Sequence, residues 1–143
     1  MSLWTLLLES FHSALIDELN SRKPDSKPEL GLPIRHAQLQ SPSPLALNAI
    51  WVQVFAEPSG AVFLACDEKQ RAVLKIQSVD ELWKTLVARA QREFEHRKIK
   101  PRFGAVQPLA ADFAQPKGLL PLKRVIWIPI GLDGGKCFLG LGV

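Results

Sequence analysis

The stretch from Ser78 to Lys98, SVDELWKTLVARAQREFEHRK, gives the clearest secondary-structure signal in the chain. Its apolar residues recur at intervals of three and four, which is the spacing of one face of an α-helix. They are Val79, Leu82, Trp83, Leu86, Val87, Ala90 and Phe94. Ser78 is a suitable N-cap, and Glu81 completes a capping box by reaching back to the N–H of Ser78. The stretch therefore predicts an amphipathic helix from Val79 to Lys98, which Pro101 ends.

A second amphipathic helix is predicted at the start of the sequence, from about Leu3 to Leu19. Its apolar stripe has the same period and consists of Trp4, Leu7, Leu8, Phe11, Leu15 and Leu19. No basic segment precedes its leucines and Glu9 interrupts them, so the pattern is not that of a signal peptide. No apolar run in the chain reaches the roughly 18 residues that a transmembrane helix needs, and we expect none.

Most of the remaining sequence predicts strands. Candidate strands are Ile34 to Leu39, Leu47 to Ala56, Ala61 to Ala65, Phe103 to Leu109, Arg124 to Leu132 and Lys136 to Val143, and a short helix is predicted from Asp67 to Ile76. Apolar residues on both faces of the hairpin from Leu47 to Ala65 favour a central position in a sheet. Its turn, Glu57-Pro58-Ser59-Gly60, suits type I.

The last two strands are joined by Asp133-Gly134-Gly135, a hairpin turn whose glycines are free to adopt positive φ. Pro129 has no N–H to donate, so the strand from Arg124 to Leu132 is predicted to be an edge strand or to be bulged at that residue.

Length and composition fit one hydrophobic core. The chain has 143 residues, of which 47% are hydrophobic and 22% charged, so a single domain over residues 1–143 is expected. We predict an α+β fold in which two long amphipathic helices pack on a mixed, mostly antiparallel sheet of about five to six strands.

The two cysteines, Cys66 and Cys137, are too few for a structural zinc site or a secreted disulfide scaffold, and both lie in apolar contexts. We expect them to be buried thiols in a protein of the reducing cytoplasm. The net charge of +4 is compatible with an acidic partner but does not select one.

The usual catalytic and cofactor motifs are missing from the sequence. It contains no phosphate-binding P-loop, no dinucleotide fingerprint and no nucleophile elbow. His12, His36 and His96 are isolated from one another and from other ligand types, so we interpret them as surface or boundary residues. The sequence predicts neither a metal nor a cofactor.

One constellation of side chains remains. Glu81, Lys84, Thr85 and Ala88 lie three and four residues apart, on the side of the predicted helix away from Trp83 and Leu86. The amino-acid sequence from Asp80 to Glu95, followed by Ile99-Lys100-Pro101, resembles the signature helix of the CheX-like and CheC-like chemotaxis phosphatases. That helix contains a glutamate, an asparagine three residues later and a small-residue stretch, and the order of the surrounding elements is also similar.

The resemblance implies a CheX-like domain and candidate site residues. In that family the glutamate pairs with a lysine of a phosphorylated response regulator, and the asparagine orients the water that attacks the aspartyl phosphate. The corresponding catalytic candidates are Glu81 and Lys84, and the partner-binding candidates are Glu81, Lys84, Thr85 and Ala88. An ammonium only donates, whereas a carboxamide also accepts, so Lys84 would attract a phosphate but orient the water poorly. The resemblance therefore implies binding to a receiver domain more than catalysis.

Three other interpretations stay open. Glu81 and Lys84 could be an ordinary helix-surface ion pair. The protein could instead be a non-enzymatic assembly subunit that oligomerises, for example as a homodimer, through the candidate edge strand from Arg124 to Leu132. It could also be a nucleic-acid accessory protein that uses the basic cluster Arg89, Arg92, Arg97, Lys98, Lys100 and Arg102. Glu93 and Glu95 interrupt that cluster, and no exposed aromatic platform accompanies it, so nucleic-acid binding is the least favoured of the three.

Overall fold

The computed structural model describes residues 3–43, 47, 49–56, 60–73, 79–98, 102–108 and 122–143. Their elements in chain order are α1 (Leu3–Arg22), β1 (Glu29–Leu30), β2 (Ile34–His36), β3 (Ala49–Ala56), β4 (Gly60–Cys66), α2 (Glu68–Val73), α3 (Val79–His96), β5 (Arg102–Pro108), β6 (Val125–Leu132) and β7 (Gly135–Gly142). The predicted α+β architecture with two long helices is confirmed. The predicted turn at Glu57–Gly60 and the N-cap Ser78 fall wholly or partly outside the described residues.

The strands form one sheet in the order β1-β6-β7-β4-β3-β5, and β2 pairs with β6 beside β1. Every pairing between the described strands is antiparallel. The hairpin β6–β7 turns through Asp133 and Gly134, which both have positive φ, at 51° and 82°. This is the tight hairpin geometry that the sequence predicted there, although Gly135 itself belongs to β7.

The helices cover one face of the sheet. Residues of α1 and α3 form a continuous buried cluster with alternate residues of the central strands, such as Val62 and Leu64 of β4 and Leu139 of β7. Burial of these side chains is the main force that holds the helices on the sheet. Trp83 of α3 lies in this cluster, as its place in the apolar stripe predicted.

The opposite face of the sheet is also covered. Phe63, Trp127 and Phe138 are buried there in a second cluster, with Ile34, Leu39 and Leu122 packed against it. All seven residues of β4 are buried, which confirms the predicted central position of the first hairpin. A Cβ at Gly140 would lie 2.7 Å from the ring of Trp127, so the missing side chain makes room for the indole on the neighbouring strand.

The prediction that the strand from Arg124 to Leu132 is an edge or bulged strand is wrong. This strand, β6, pairs with β7 on one side and with β1 and β2 on the other, and its register with β7 is continuous. Pro129 is tolerated because its carbonyl accepts from the N–H of Gly31 at 2.9 Å, in the link between β1 and β2. In a strand the N–H and C=O of one residue point to the same side. The N–H that proline lacks would therefore point to the link between β1 and β2, where no ladder hydrogen bond from it is required.

Three helix boundaries differ from the prediction. α3 ends at His96 instead of Lys98, whose φ is positive at 58°. α1 continues three residues beyond Leu19 to Arg22, whose Nε donates to Glu18 one turn earlier at 2.9 Å. α2 begins at Glu68, one residue after the predicted start at Asp67, whose carboxylate accepts from the N–H of Gln70 at 2.7 Å; the predicted end at Ile76 lies outside the described residues. The same carboxylate accepts from the N–H of Lys136, so it joins the start of α2 to β7.

Candidate partner-binding surface

The inner face of α3 is fixed in the core by aromatic packing against α1. Trp83, Leu86, Ala90 and Phe94 are all buried. The ring of Phe11 in α1 stacks on Trp83, with 6.0 Å between centroids, and meets Phe94 edge-on at 5.6 Å. Such contacts prefer a defined ring geometry, so they limit rotation of α3 about its own axis.

The outer face of α3, which we define by Glu81, Lys84, Thr85 and Ala88, is opposite that packing. Lys84 and Ala88 are exposed and Thr85 is half-buried, so the structure brings these three together as the sequence predicted. Glu81 lies in α3 three residues before Lys84, and the helical repeat of about 100° per residue puts its Cα on the same side. Its side chain is not among those that the structure describes.

Ion pairs between α1 and α3 also hold this orientation. Glu18 of α1 is only 6% exposed and accepts from the Nε of Arg89 in α3 at 3.0 Å. Glu9 of α1 accepts from Arg97 at 2.9 Å, near the end of α3. Because Arg22 also donates to Glu18, the buried carboxylate faces two guanidinium groups and is not left uncompensated.

These contacts occupy part of the predicted basic cluster. Arg89 and Arg97 are both committed to helix–helix ion pairs, and Arg97 also lies 3.8 Å from Glu93. Arg92 and Lys98 are exposed. The side chain of Arg102 and the whole of Lys100 lie outside the description. Arg89 and Arg97 are therefore structural parts of the helix pair, and Arg92 and Lys98 remain exposed.

The two cysteines are buried free thiols, as predicted, and they are direct partners across strands β4 and β7. Their Sγ atoms are 3.1 Å apart. The hydrogen bond to Cys66 and the burial of Cys137 itself raise the pKa of Cys137 well above its ordinary value, so this thiol is neutral at pH 7. The sequence did not predict this contact because the two residues are 71 positions apart.

The three histidines occupy unrelated places. His12 in α1 and His36 in β2 are half-buried, and His96 at the end of α3 is exposed. Burial lowers the pKa of His12 below its ordinary value of 6.5. Within the described parts of the chain, no group of three or more His, Cys, Asp or Glu side chains is placed to hold a metal ion. No helix among them is long and apolar enough to span a bilayer.

Sequence reasoning missed a concave surface elsewhere on the protein. A cavity of about 670 Å³ lies beside α1, and its lining includes Arg35, Arg124 and His12. Arg35 lies in β2, Arg124 immediately before β6 and His12 in α1, and no local motif links them. Only the pairing of β2 with β6 brings the two arginines to one side, so no spacing in the sequence could have signalled the site.

Solved structures with the same arrangement cover nearly the whole chain. A CheC-like superfamily protein from a Shewanella species superimposes with a TM-score of 0.70 at 12% identity, over 99% of this chain and 98% of that one. The chemotaxis protein CheX from Vibrio vulnificus gives a TM-score of 0.67 at 11% identity, over 95% and 97%. The fold is that of CheX-like and CheC-like chemotaxis proteins.

A third structure with the CheX-like fold includes a partner. It is the complex of CheX and CheY with BeF3 and Mg²⁺ from Borrelia burgdorferi, which matches with a TM-score of 0.61 at 10% identity over 94% of this chain and 95% of that one. No protein-family model matches the sequence, and no curated protein matches it. The predicted CheX-like architecture is thus confirmed at the level of the fold.

Proposed function

We propose that this protein binds the receiver domain of a response regulator through the outer face of α3. The observation that supports this most is orientation: Lys84 and Ala88 are exposed, while the opposite side of the same helix is held in the core by Trp83 and Phe94. A CheX of the same fold forms a complex with CheY, so this scaffold is compatible with such a partner.

The chemistry of the outer face suits an acidic, phosphorylated site. Lys84 supplies an exposed ammonium that would attract the phosphoryl group and the carboxylates around it. Ala88, one turn later, has a side chain small enough to let a partner approach the helix closely. By resemblance to the family, Glu81 would pair with a lysine of the receiver.

The proposal is for binding, not for rapid dephosphorylation. An ammonium at position 84 can donate to a phosphoryl oxygen or to a water, but it has no lone pair with which to orient the attacking water. A cytoplasmic location follows from the proposal, since receivers of this kind act there, and it agrees with the free thiols of Cys66 and Cys137.

The test is a binding titration of the double variant Glu81→Ala/Lys84→Ala against receivers activated with beryllium fluoride and Mg²⁺. We expect the affinity to fall at least about tenfold, because removing one partner of a hydrogen-bonded charge pair that is buried in an interface costs about 2 kcal/mol or more. Glu68→Ala/Lys69→Ala removes an exposed acid and base from α2 and serves as the matched control. Unchanged affinity of the α3 variant for every receiver that the wild type binds would remove the proposal.

The assembly alternative loses its candidate edge, because β6 is flanked on both sides. Oligomerisation through another surface would be detected by size-exclusion chromatography with light scattering. The nucleic-acid alternative is weakened by the ion pairs of Arg89 and Arg97.

A further inference from the structure

The cavity beside α1 has an apolar interior. β6 and β7 contribute Ile126, Ile128 and Leu141 from the helix-facing side of the sheet, and α1 contributes Trp4 and Leu8. Ile126 and Ile128 remain half-buried. The cavity is therefore a groove of uncovered sheet at the outer side of α1, with a volume of about 670 Å³. That size is within the range of small-molecule sites, which are mostly apolar with a few polar groups.

Positive charge is unbalanced at the mouth of this groove. Arg35 and Arg124 are both exposed, and neither makes an ion pair with any residue that the structure describes. The acidic residue of the lining, Glu9, is instead paired with Arg97 at 2.9 Å. Arg35 is opposite Ile126 in the β2–β6 ladder, and Arg124 immediately precedes β6. The backbone of both arginines thus lies next to Ile126, which is part of the apolar floor of the groove.

The lining of the groove also includes His12. Its Nε2 atom is buried and forms no hydrogen bond within the described chain. A buried polar atom without a partner is costly. Burial lowers the pKa of His12, so its ring is neutral at pH 7 and offers a neutral hydrogen-bonding group instead of a third positive charge.

We propose that this groove binds a small amphiphilic anion, with an apolar chain or ring on Ile126, Ile128 and Trp4 and a single carboxylate or phosphate head on Arg35 and Arg124. Guanidinium groups bind both kinds of head through paired charge-assisted hydrogen bonds. A ligand without an apolar body would leave the floor exposed to water, and one without charge would leave both arginines unpaired. The groove is separate from the outer face of α3, so the proposal does not depend on receiver binding.

The experiment compares four probes by calorimetry and NMR: decanoate and decyl phosphate below their micelle concentrations, decanol and acetate. Sedimentation with anionic vesicles is a separate measurement. We expect decanoate or decyl phosphate to bind and the stronger of the two to identify the head group. Acetate and decanol, each lacking one half of the ligand, should bind at least about tenfold more weakly. The indole resonance of Trp4 should shift on binding, whereas that of Trp127, buried in the other cluster, should not.

The variant Arg35→Gln/Arg124→Gln should weaken binding of the charged probe at least about tenfold, because it removes both charge-assisted contacts. Both residues are exposed, so the fold should tolerate the change. Arg92→Gln removes an exposed arginine from α3 and should have no effect. Decanol binding as tightly as the stronger anionic probe, full affinity of that probe for the double variant, or chemical-shift changes that do not include Trp4 would overturn the proposal. Binding to anionic vesicles alone, with no affinity for either monomeric amphiphile, would assign the groove to a membrane surface and also overturn it.

Discussion

Replacing Trp83 with alanine is expected to lower the free energy of unfolding by about 3–5 kcal/mol, the usual cost of deleting a large buried aromatic side chain. Trp83 is 1% exposed and lies in the cluster that joins α1, α3 and the sheet. The variant would lose apolar burial, leave a cavity and remove the stacking partner of Phe11. Urea unfolding followed by circular dichroism measures the change without depending on tryptophan fluorescence.

Lys84→Ala is the matched control for that measurement, because it changes the next residue of the same helix on its exposed side. We expect its effect to stay within about 0.5 kcal/mol, as is usual for exposed surface positions. If both variants were equally stable, α3 would not be packed as described.

Lys84→Asn is expected to increase dephosphorylation of a bound receiver at least about tenfold, since precise positioning of the reacting water contributes strongly to rate. This prediction depends on the proposed function. Asparagine supplies an acceptor and a donor where the native ammonium only donates. Release of inorganic phosphate from a phosphorylated receiver, in the presence of excess protein, measures the change.

Lys84→Ala separates the two effects of this substitution. It removes the ammonium without supplying a carboxamide, so it should not increase the rate. If Lys84→Asn bound the receiver but left the rate unchanged, position 84 would not lie beside the attacking water, and the correspondence with the family's asparagine would be wrong.

Periodicity was sufficient to predict the helix layer. In α3 the buried residues Trp83, Leu86 and Phe94 all belong to the stripe read from the sequence, and Lys84 and Ala88 are exposed as that stripe requires. The hairpin turn at Asp133–Gly134 could be predicted for the same reason, because the residues that determine a tight turn are adjacent in the sequence. These features could be predicted because they depend on short-range sequence.

Features that depend on contacts between distant residues could not be predicted. On the side of β6 away from β7, Glu29–Leu30 has too few residues for a reliable pattern, and Ile34–His36 lies in a predicted strand whose partner the sequence did not indicate, so the pairings of both with β6 could not be predicted. Without them Pro129 indicated an edge. The pairing of Cys66 with Cys137 and of Glu18 with Arg89 likewise joins residues 71 positions apart.

The candidate sites differ in the same way. The outer face of α3 is formed by one stretch of helix, so the sequence was sufficient to identify it. Its assignment to a receiver came from the resemblance of this stretch to the CheX-like signature helix, and not from the spacing of its residues. The groove of Arg35, Arg124 and His12 combines three separate elements, and it became visible only when the sheet was assembled.

The central claim is that the outer face of α3 contacts the receiver, and Ala88→Arg tests it most directly. A long, charged side chain at this exposed position would block close approach without disturbing the core. Ala72→Arg, at an exposed position of α2, adds the same side chain elsewhere. In titrations with a receiver activated by beryllium fluoride, we expect Ala88→Arg to weaken binding at least about tenfold and Ala72→Arg to leave it unchanged. Wild-type affinity in Ala88→Arg, or an equal loss in both variants, would contradict the account.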